Sequence, residues 1–170
     1  MSSLNKLKLI LSSLSILFFS INLSLAETQI IFGSAEVTDG DTIKINKEKI
    51  RLLFIDAPEL KQTCRNSFEE EYNCGIKSKE YLSSYINNQI VHCNFSERDR
   101  YKRILGDCFL KEINNSNINL SMIENGWAII YRRYYFPKEF LDVEEKAKNQ
   151  KKGLWEGKFL SPEQWRNKNK

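Results

Sequence analysis

The sequence predicts an α+β protein: a small closed β-barrel of five strands interleaved with three helices. Three observations lead there. The part of the 170-residue chain beyond an apolar leader has the length of one domain with one core. Short apolar runs with strand-like alternation fall in two groups, three before the first helical segment and two after it. Three segments carry apolar residues three and four positions apart, which gives one face to bury.

The leader comes first. Lys6 and Lys8 precede an apolar run from Leu9 to Leu23, which ends in Ser24, Leu25 and Ala26. A basic start, an apolar middle and small residues before a cut make residues 1–26 a secretory signal peptide, leaving 27–170 as the folded domain. An uncleaved membrane anchor is the alternative, although the run is at the short end for a spanning helix, and no other segment is apolar enough to span. The protein is expected to be secreted or periplasmic, with no membrane contact in its mature form.

Each element follows in order. "IIFGSAEV" reads as the first strand, "TIKIN" as the second and "KIRLLFI" as the third, with "NKEK" as the tight turn joining the last two. Ser78, Tyr81, Leu82, Tyr85 and Ile86 share a helical face, placing the first helix over 78–86. "IVHCNF" and "ILGDCFL" flank the polar "SERDRYKR" as an antiparallel hairpin with a charged tip. Asn119 is read as the cap of a short helix carrying Leu120 and Ile123 and ended by Gly126. Pro137 opens a third helix with Phe140, Val143 and Ala147 on one face, ending near Gly153.

The cysteines refine this picture. Cys64, Cys74, Cys93 and Cys108 all lie beyond the signal, and an even number in an exported chain favours disulfides. A hairpin turn centred between Arg100 and Tyr101 sets Cys93 opposite Cys108, within bonding reach if both point to one face. Cys64 then pairs with Cys74 by elimination. No CxxC spacing is present, which argues against zinc. The single histidine, His92, excludes two-histidine zinc hydrolases and is read as a strand residue. A net charge of +4 permits an anionic partner without demanding one.

The function lies in "VTDGDTIKI" and "KIRLLFIDAPE". A charge inside an apolar strand costs several kcal/mol unless it is paired or ligated. Arg51 is in that position and needs an anion. Asp41 begins the second strand and Asp56 ends the third, so a short antiparallel turn brings the two carboxylates to one sheet edge. Converging carboxylates repel, and an all-oxygen set without histidine or thiolate nearby suits a hard cation, calcium or magnesium. Asp39 reads more readily as a turn residue than as a further carboxylate of the site.

"DGDT", "IRLLFIDAPE", the tip "RDRYKR" and the ending "KKGLWEGKF" together resemble the staphylococcal nuclease, or thermonuclease, family of calcium-dependent nucleases. The likeness runs from about Ile31 to Trp165. It implies a five-stranded OB-fold barrel with three helices and DNA or RNA as substrate. By the same resemblance Asp41 and Asp56 hold Ca2+ together with the backbone carbonyl of Ala57, where many members have threonine. Glu59 activates the attacking water, and Arg51 and Arg103 grip the scissile phosphate.

Those residue types suit the chemistry. A phosphodiester resists attack because its oxygens are already negative, and guanidinium forks neutralise the charge that grows as a fifth oxygen approaches. Tyr101 is read either as packing at the hairpin tip or as a nucleotide contact. "YRRYYF" is either a packed connector or a stacking surface, with Tyr131 and Tyr134 as its contact candidates. The loop "LKQTCRNSFEEEYNCG" departs from the family's best-known member in being acidic and closed by a disulfide. The rival reading is a non-catalytic OB-fold module that binds nucleic acid or another polyanion. No stable protein partner is implied, and a monomer is expected.

Overall fold

A computed structural model describes residues 27–111 and 116–170, so the signal peptide expected at 1–26 lies outside the described residues. In chain order the strands are β1 (Gln29–Ser34), β2 (Glu36–Val37), β3 (Thr42–Ile45), β4 (Glu48–Leu52), β5 (Ile55–Asp56), β6 (Cys64–Arg65) and β7 (Glu71–Tyr72). Helix α1 (Cys74–Ile86) precedes β8 (Ile90–Phe95), β9 (Ile104–Leu110) and β10 (Ser116–Asn117). Helix α2 (Ile118–Glu124), β11 (Ile129–Ile130), α3 (Lys138–Asn149), a 3-10 turn (Gly153–Glu156) and α4 (Pro162–Lys168) complete the chain. None of the described helices is long and apolar enough to cross a membrane.

The main sheet runs β1-β8-β9-β4-β3-β2, with β10 beside β9. β1 and β2 are two parts of one extended stretch interrupted at Ala35, so the same piece of chain supplies both ends of the strand order and the sheet curls around its core. Alternation sets the inner face: Ile104, Gly106, Cys108 and Leu110 of β9 and Val91 and Cys93 of β8 point inward. Ile43, Ile45, Ile50 and Leu52 join them, and α1, α2 and α3 cover the core with Leu82, Ile86, Met122, Ile123 and Phe140.

The hairpin register is the expected one, with Cys93 opposite Cys108 and the two bonded. Cys64 is bonded to Cys74. Asn46 and Lys47 both have positive φ, 50° and 71°, as a two-residue turn between β3 and β4 requires.

Four departures from expectation each have a physical cause. The third strand does not run through to Ile55: it breaks at Leu53–Phe54, where Phe54 takes φ 68° and packs edge-on against Phe140 at 5.4 Å. The break ends the third strand at Leu52 and lets β5 pair with β11 instead. Helix α1 starts four residues before the expected Ser78, fixed by the Cys64–Cys74 bond rather than by a side-chain cap. Helix α3 stops at Asn149, because the chain folds back through Lys151 (φ 52°) and Gly153 (φ 53°).

The fourth departure is α4, which makes four α-helices among the described residues where three were expected. It is locally encoded. Ser161 accepts a hydrogen bond from the Gln164 amide, the Gln164 side chain answers at the Ser161 amide, and Pro162 fills the first turn.

Asn119 is not the cap of α2. Asn117 is, accepting from the Leu120 amide at 2.8 Å. Asn119 is fully buried and donates to the carbonyls of Leu53 and Gly106 while accepting from the Cys108 amide. It therefore satisfies the backbone where the third strand breaks. Leaving these buried groups without partners costs roughly 1–3 kcal/mol each, so Asn119→Ala is expected to lower the melting temperature by on the order of 10 °C in a thermal denaturation scan.

Glu144 plays a similar part in α3. It is 1% exposed and accepts from the Ile130 amide at 2.9 Å, from both terminal nitrogens of Arg132, and from Lys148 at 2.7 Å. Burial opposes ionisation, but these donors prevail and hold the carboxyl below its ordinary value of 4.5. The stabilisation is complete above that unfolded value and is lost as pH falls through the lower folded one. Glu144→Gln is therefore expected to lower the melting temperature at pH 7, with the deficit shrinking as melts are repeated below about pH 4.

Candidate active site

The turn before β3 delivers Asp41. Asp39 accepts from the Asp41 amide at 3.0 Å, which makes it the turn residue expected of it. Gly40 is pressed between elements: a Cβ there would lie 2.1 Å from the Ser78 hydroxyl and 2.7 Å from the Ala57 Cβ. Only glycine allows the turn to pass so close to α1. The Asp41 carbonyl takes the Leu52 amide at 2.8 Å, fixing the end of β3 against β4. Asp56 ends β5, where Ile129 of β11 faces it.

One guanidinium joins the two acids. Arg51 donates from Nη1 to Asp41 at 2.9 Å and from Nη2 to Asp56 at 2.9 Å. Both carboxylates are nearly closed to solvent, Asp41 with 7% and Asp56 with 3% of its side chain exposed. Asp41 also accepts from the Thr42 hydroxyl at 3.0 Å and the Ala57 amide at 3.2 Å. Burial pushes the Asp41 carboxyl above its ordinary range despite the opposing pull of Arg51, and Asp39 adds to the rise. The Arg51 guanidinium, although desolvated, is held above its usual value by Asp41 and Asp56. Arg51 alone carries one positive charge against the two acids.

Glu59 lies beside it with 40% of its side chain exposed. Its amide donates to the Gln62 side chain at 3.2 Å, and its carbonyl accepts from the Gln62 amide at 2.7 Å. A Cβ on Gly75 would lie 1.8 Å from that same carbonyl, so the first turn of α1 clamps the Glu59 turn from the other side.

Arg166 of α4 reaches this centre from 110 residues away in sequence. It donates to Asp56 from Nη1 at 3.1 Å and Nη2 at 2.9 Å, and to Glu59 from Nη1 at 2.9 Å. Sequence reasoning missed it. The Ser161–Pro162–Gln164 pattern could have revealed the helix, but nothing local to Arg166 points to its partners.

Arg103 is held elsewhere. It pairs with Asp99, Nε to Oδ2 at 2.8 Å and Nη2 to Oδ2 at 2.7 Å, and Asp99 is held below the usual carboxylate range, its partial burial outweighed by Arg103. It immediately precedes β9, whose first residue, Ile104, is paired with Ile50, the neighbour of Arg51. Tyr101, 65% exposed, has its ring 5.6 Å from the Arg103 guanidinium carbon.

Tyr131 does reach the centre, with its ring 5.7 Å from the guanidinium carbon of Arg51. Tyr134 lies 5.7 Å from the Tyr131 ring and is 72% exposed. The intervening arginines are anchored, Arg132 to Glu144 and Arg133 to Glu163. Residues 132–135 are exposed, so the segment is not a packed connector but a surface connector, anchored by its arginines, that presents tyrosines. His92 is a strand residue whose ring stacks on Phe32 at 5.3 Å.

A hard divalent cation fits the donor chemistry. The acids offer oxygen only, they are buried, and they converge closely enough for one guanidinium to span both. Among the described residues no group of three or more acids, histidines or cysteines gathers as a metal centre. Asp41 and Asp56 would be the side-chain ligands, and Arg51 and Arg166 supply the opposing charge here.

The curled sheet thus carries buried acids and arginines together at one edge. Residues 49–157 match the family model described as staphylococcal nuclease homologue, and the chain belongs to that family. It is 34% identical over 126 residues to the succinoglycan biosynthesis protein ExoI of Rhizobium meliloti, covering 74% of this chain and 64% of that protein. An uncharacterized endonuclease of Haemophilus influenzae is 32% identical over 169 residues, covering 96% of this chain and 87% of that protein. The micrococcal nuclease of Shigella flexneri is 31% identical over 147 residues, covering 79% of each chain.

Proposed function

We propose that this protein is an exported, calcium-dependent nuclease that hydrolyses phosphodiester bonds of DNA or RNA by direct attack of water, without a covalent enzyme intermediate. Its curled sheet is read as the five-stranded OB barrel that the family implies. The observation that carries the reading is the pair of buried acids, Asp41 and Asp56, bridged by Arg51 with the half-exposed Glu59 alongside. Family membership and the endonuclease names of relatives support it. Two formed disulfides and the leader at 1–26 support export.

Each residue then has a task. Asp41, Asp56 and the Ala57 carbonyl would hold a calcium ion, which would supply positive charge to the phosphoryl oxygens. Glu59 takes a proton from water as its oxygen bonds to phosphorus, and the bond from phosphorus to the leaving oxygen breaks as that oxygen takes a proton from solvent. Arg51 offers a fork to the phosphate, and Arg103 offers a second once it exchanges Asp99 for the substrate. Tyr131, above Arg51, and the exposed Tyr134 and Tyr101 are placed to contact nucleotides. The protein is taken to act as a monomer with no membrane contact in its mature form.

The test is cleavage of single-stranded DNA and of RNA by the purified protein with calcium and with chelator. Cutting that chelator abolishes is expected. Retained strand binding with no cutting would move the assignment to a polyanion-binding OB module.

A further inference from the structure

We propose that Arg166 is the resident counter-cation of Asp56 and Glu59, a charge with which a divalent ion competes at Asp56, so that α4 lowers the metal affinity of the site. This rests on the metal-binding reading above. A carboxylate offers about four acceptor positions, two on each oxygen. Oδ1 of Asp56 already accepts from Arg51 at 2.9 Å and Arg166 at 3.1 Å, and Oδ2 accepts from Arg166 at 2.9 Å. Asp41 accepts from Thr42, Arg51 and Ala57, so about one position is left on each acid, that of Asp56 being on Oδ2. An ion drawing one oxygen from each acid would share Oδ2 of Asp56 with the Arg166 guanidinium, and the two positive charges there would repel.

Arg166 is the donor able to leave. Arg51 is set within the sheet with 17% of its side chain exposed, whereas Arg166 has 34% exposed and can exchange its partners for water. Helix α4 would remain docked without this contact. Gln62 holds the Leu160 carbonyl at 2.8 Å, Pro162 is buried, and Glu163 pairs with Arg133. The same Arg166 Nη1 that donates to Asp56 also donates to Glu59. Arrival of the ion would therefore free an oxygen of the proposed base at the moment the site becomes competent.

Calorimetric titration of the purified protein with calcium chloride tests this. Arg166→Gln is expected to bind at least about tenfold tighter than the native protein, since it removes a competing charge-assisted fork. Arg98→Gln, which removes the same charge from an exposed pair with Glu48, is expected to change affinity by less than about threefold because solvent and salt screen it. Arg166→Lys keeps the charge without the fork and is expected to fall between, which preserves the test if Arg166→Gln folds poorly. Calcium should also raise the melting temperature of Arg166→Gln more than that of the native protein. Equal affinity of Arg166→Gln and native protein, or equal tightening by Arg98→Gln, overturns the inference alone. Absence of calcium uptake by every variant overturns the calcium reading and the inference with it.

Discussion

Glu59→Gln is expected to cut the turnover number by about 10²- to 10⁴-fold, the usual contribution of a general base, while leaving the fold intact. The two effects separate because of where Glu59 lies. Its carboxylate is 40% exposed, so the ion pair with Arg166 contributes little to stability. Its backbone, in contrast, is pinned by Gln62 on one side and by the close approach of Gly75 on the other, and the substitution touches neither. Steady-state kinetics and a thermal melt on the same preparation check both halves. Near-native turnover would remove Glu59 from the role of base.

Arg51→Gln is expected to damage stability and catalysis together. It leaves Asp41 with only the Thr42 hydroxyl and the Ala57 amide as donors, in a place where burial already pushes its carboxyl up. Breaking a buried pair by removing one partner costs about 3–5 kcal/mol, although protonation of Asp41 would hold the loss near the lower figure. Asp56 is cushioned by Arg166. Millimolar calcium is expected to restore part of the melting temperature, because a dication supplies the charge that the guanidinium gave. Turnover is expected to stay low even with calcium, since the fork for phosphate is gone, and Arg51→Lys should not rescue it. An unchanged melting temperature without calcium would contradict the pairing of Arg51 with both acids.

Much of the site could be read locally. A two-residue turn between two strands brings their outer ends together, so "DGDT" and "FIDAPE" pointed to converging acids, although Asp56 arrives there on β5 after the break rather than at the end of an unbroken third strand. The same logic of register placed Cys93 against Cys108. What could not be read depended on tertiary contacts. The break at Phe54 is set by packing against Phe140, and Asn119 is buried because the backbone at Leu53 and Gly106 needs its amide. The role of Asn117 as cap lies within the two-residue uncertainty of any helix start.

Arg166 shows the limit most plainly. Its helix carries a capping pattern, yet its importance comes from Asp56 and Glu59, which no pattern in "SPEQWRNKNK" names. Arg103 shows the converse. Its place in "RDRYKR" suggested a phosphate ligand, while its present partner, Asp99, lies four residues away in the same tip.

The most direct measurement is cleavage, with calcium in ¹⁸O-water, of a short oligonucleotide whose scissile linkage is a phosphorothioate of one configuration, followed by analysis of the configuration of the product thiophosphate. The expected result is inversion at phosphorus, as a single in-line attack of water assisted by Glu59 requires. Retention would show that a protein side chain attacks first, and no cleavage of this or of an unmodified strand would contradict the nuclease reading of Asp41, Arg51, Asp56 and Glu59.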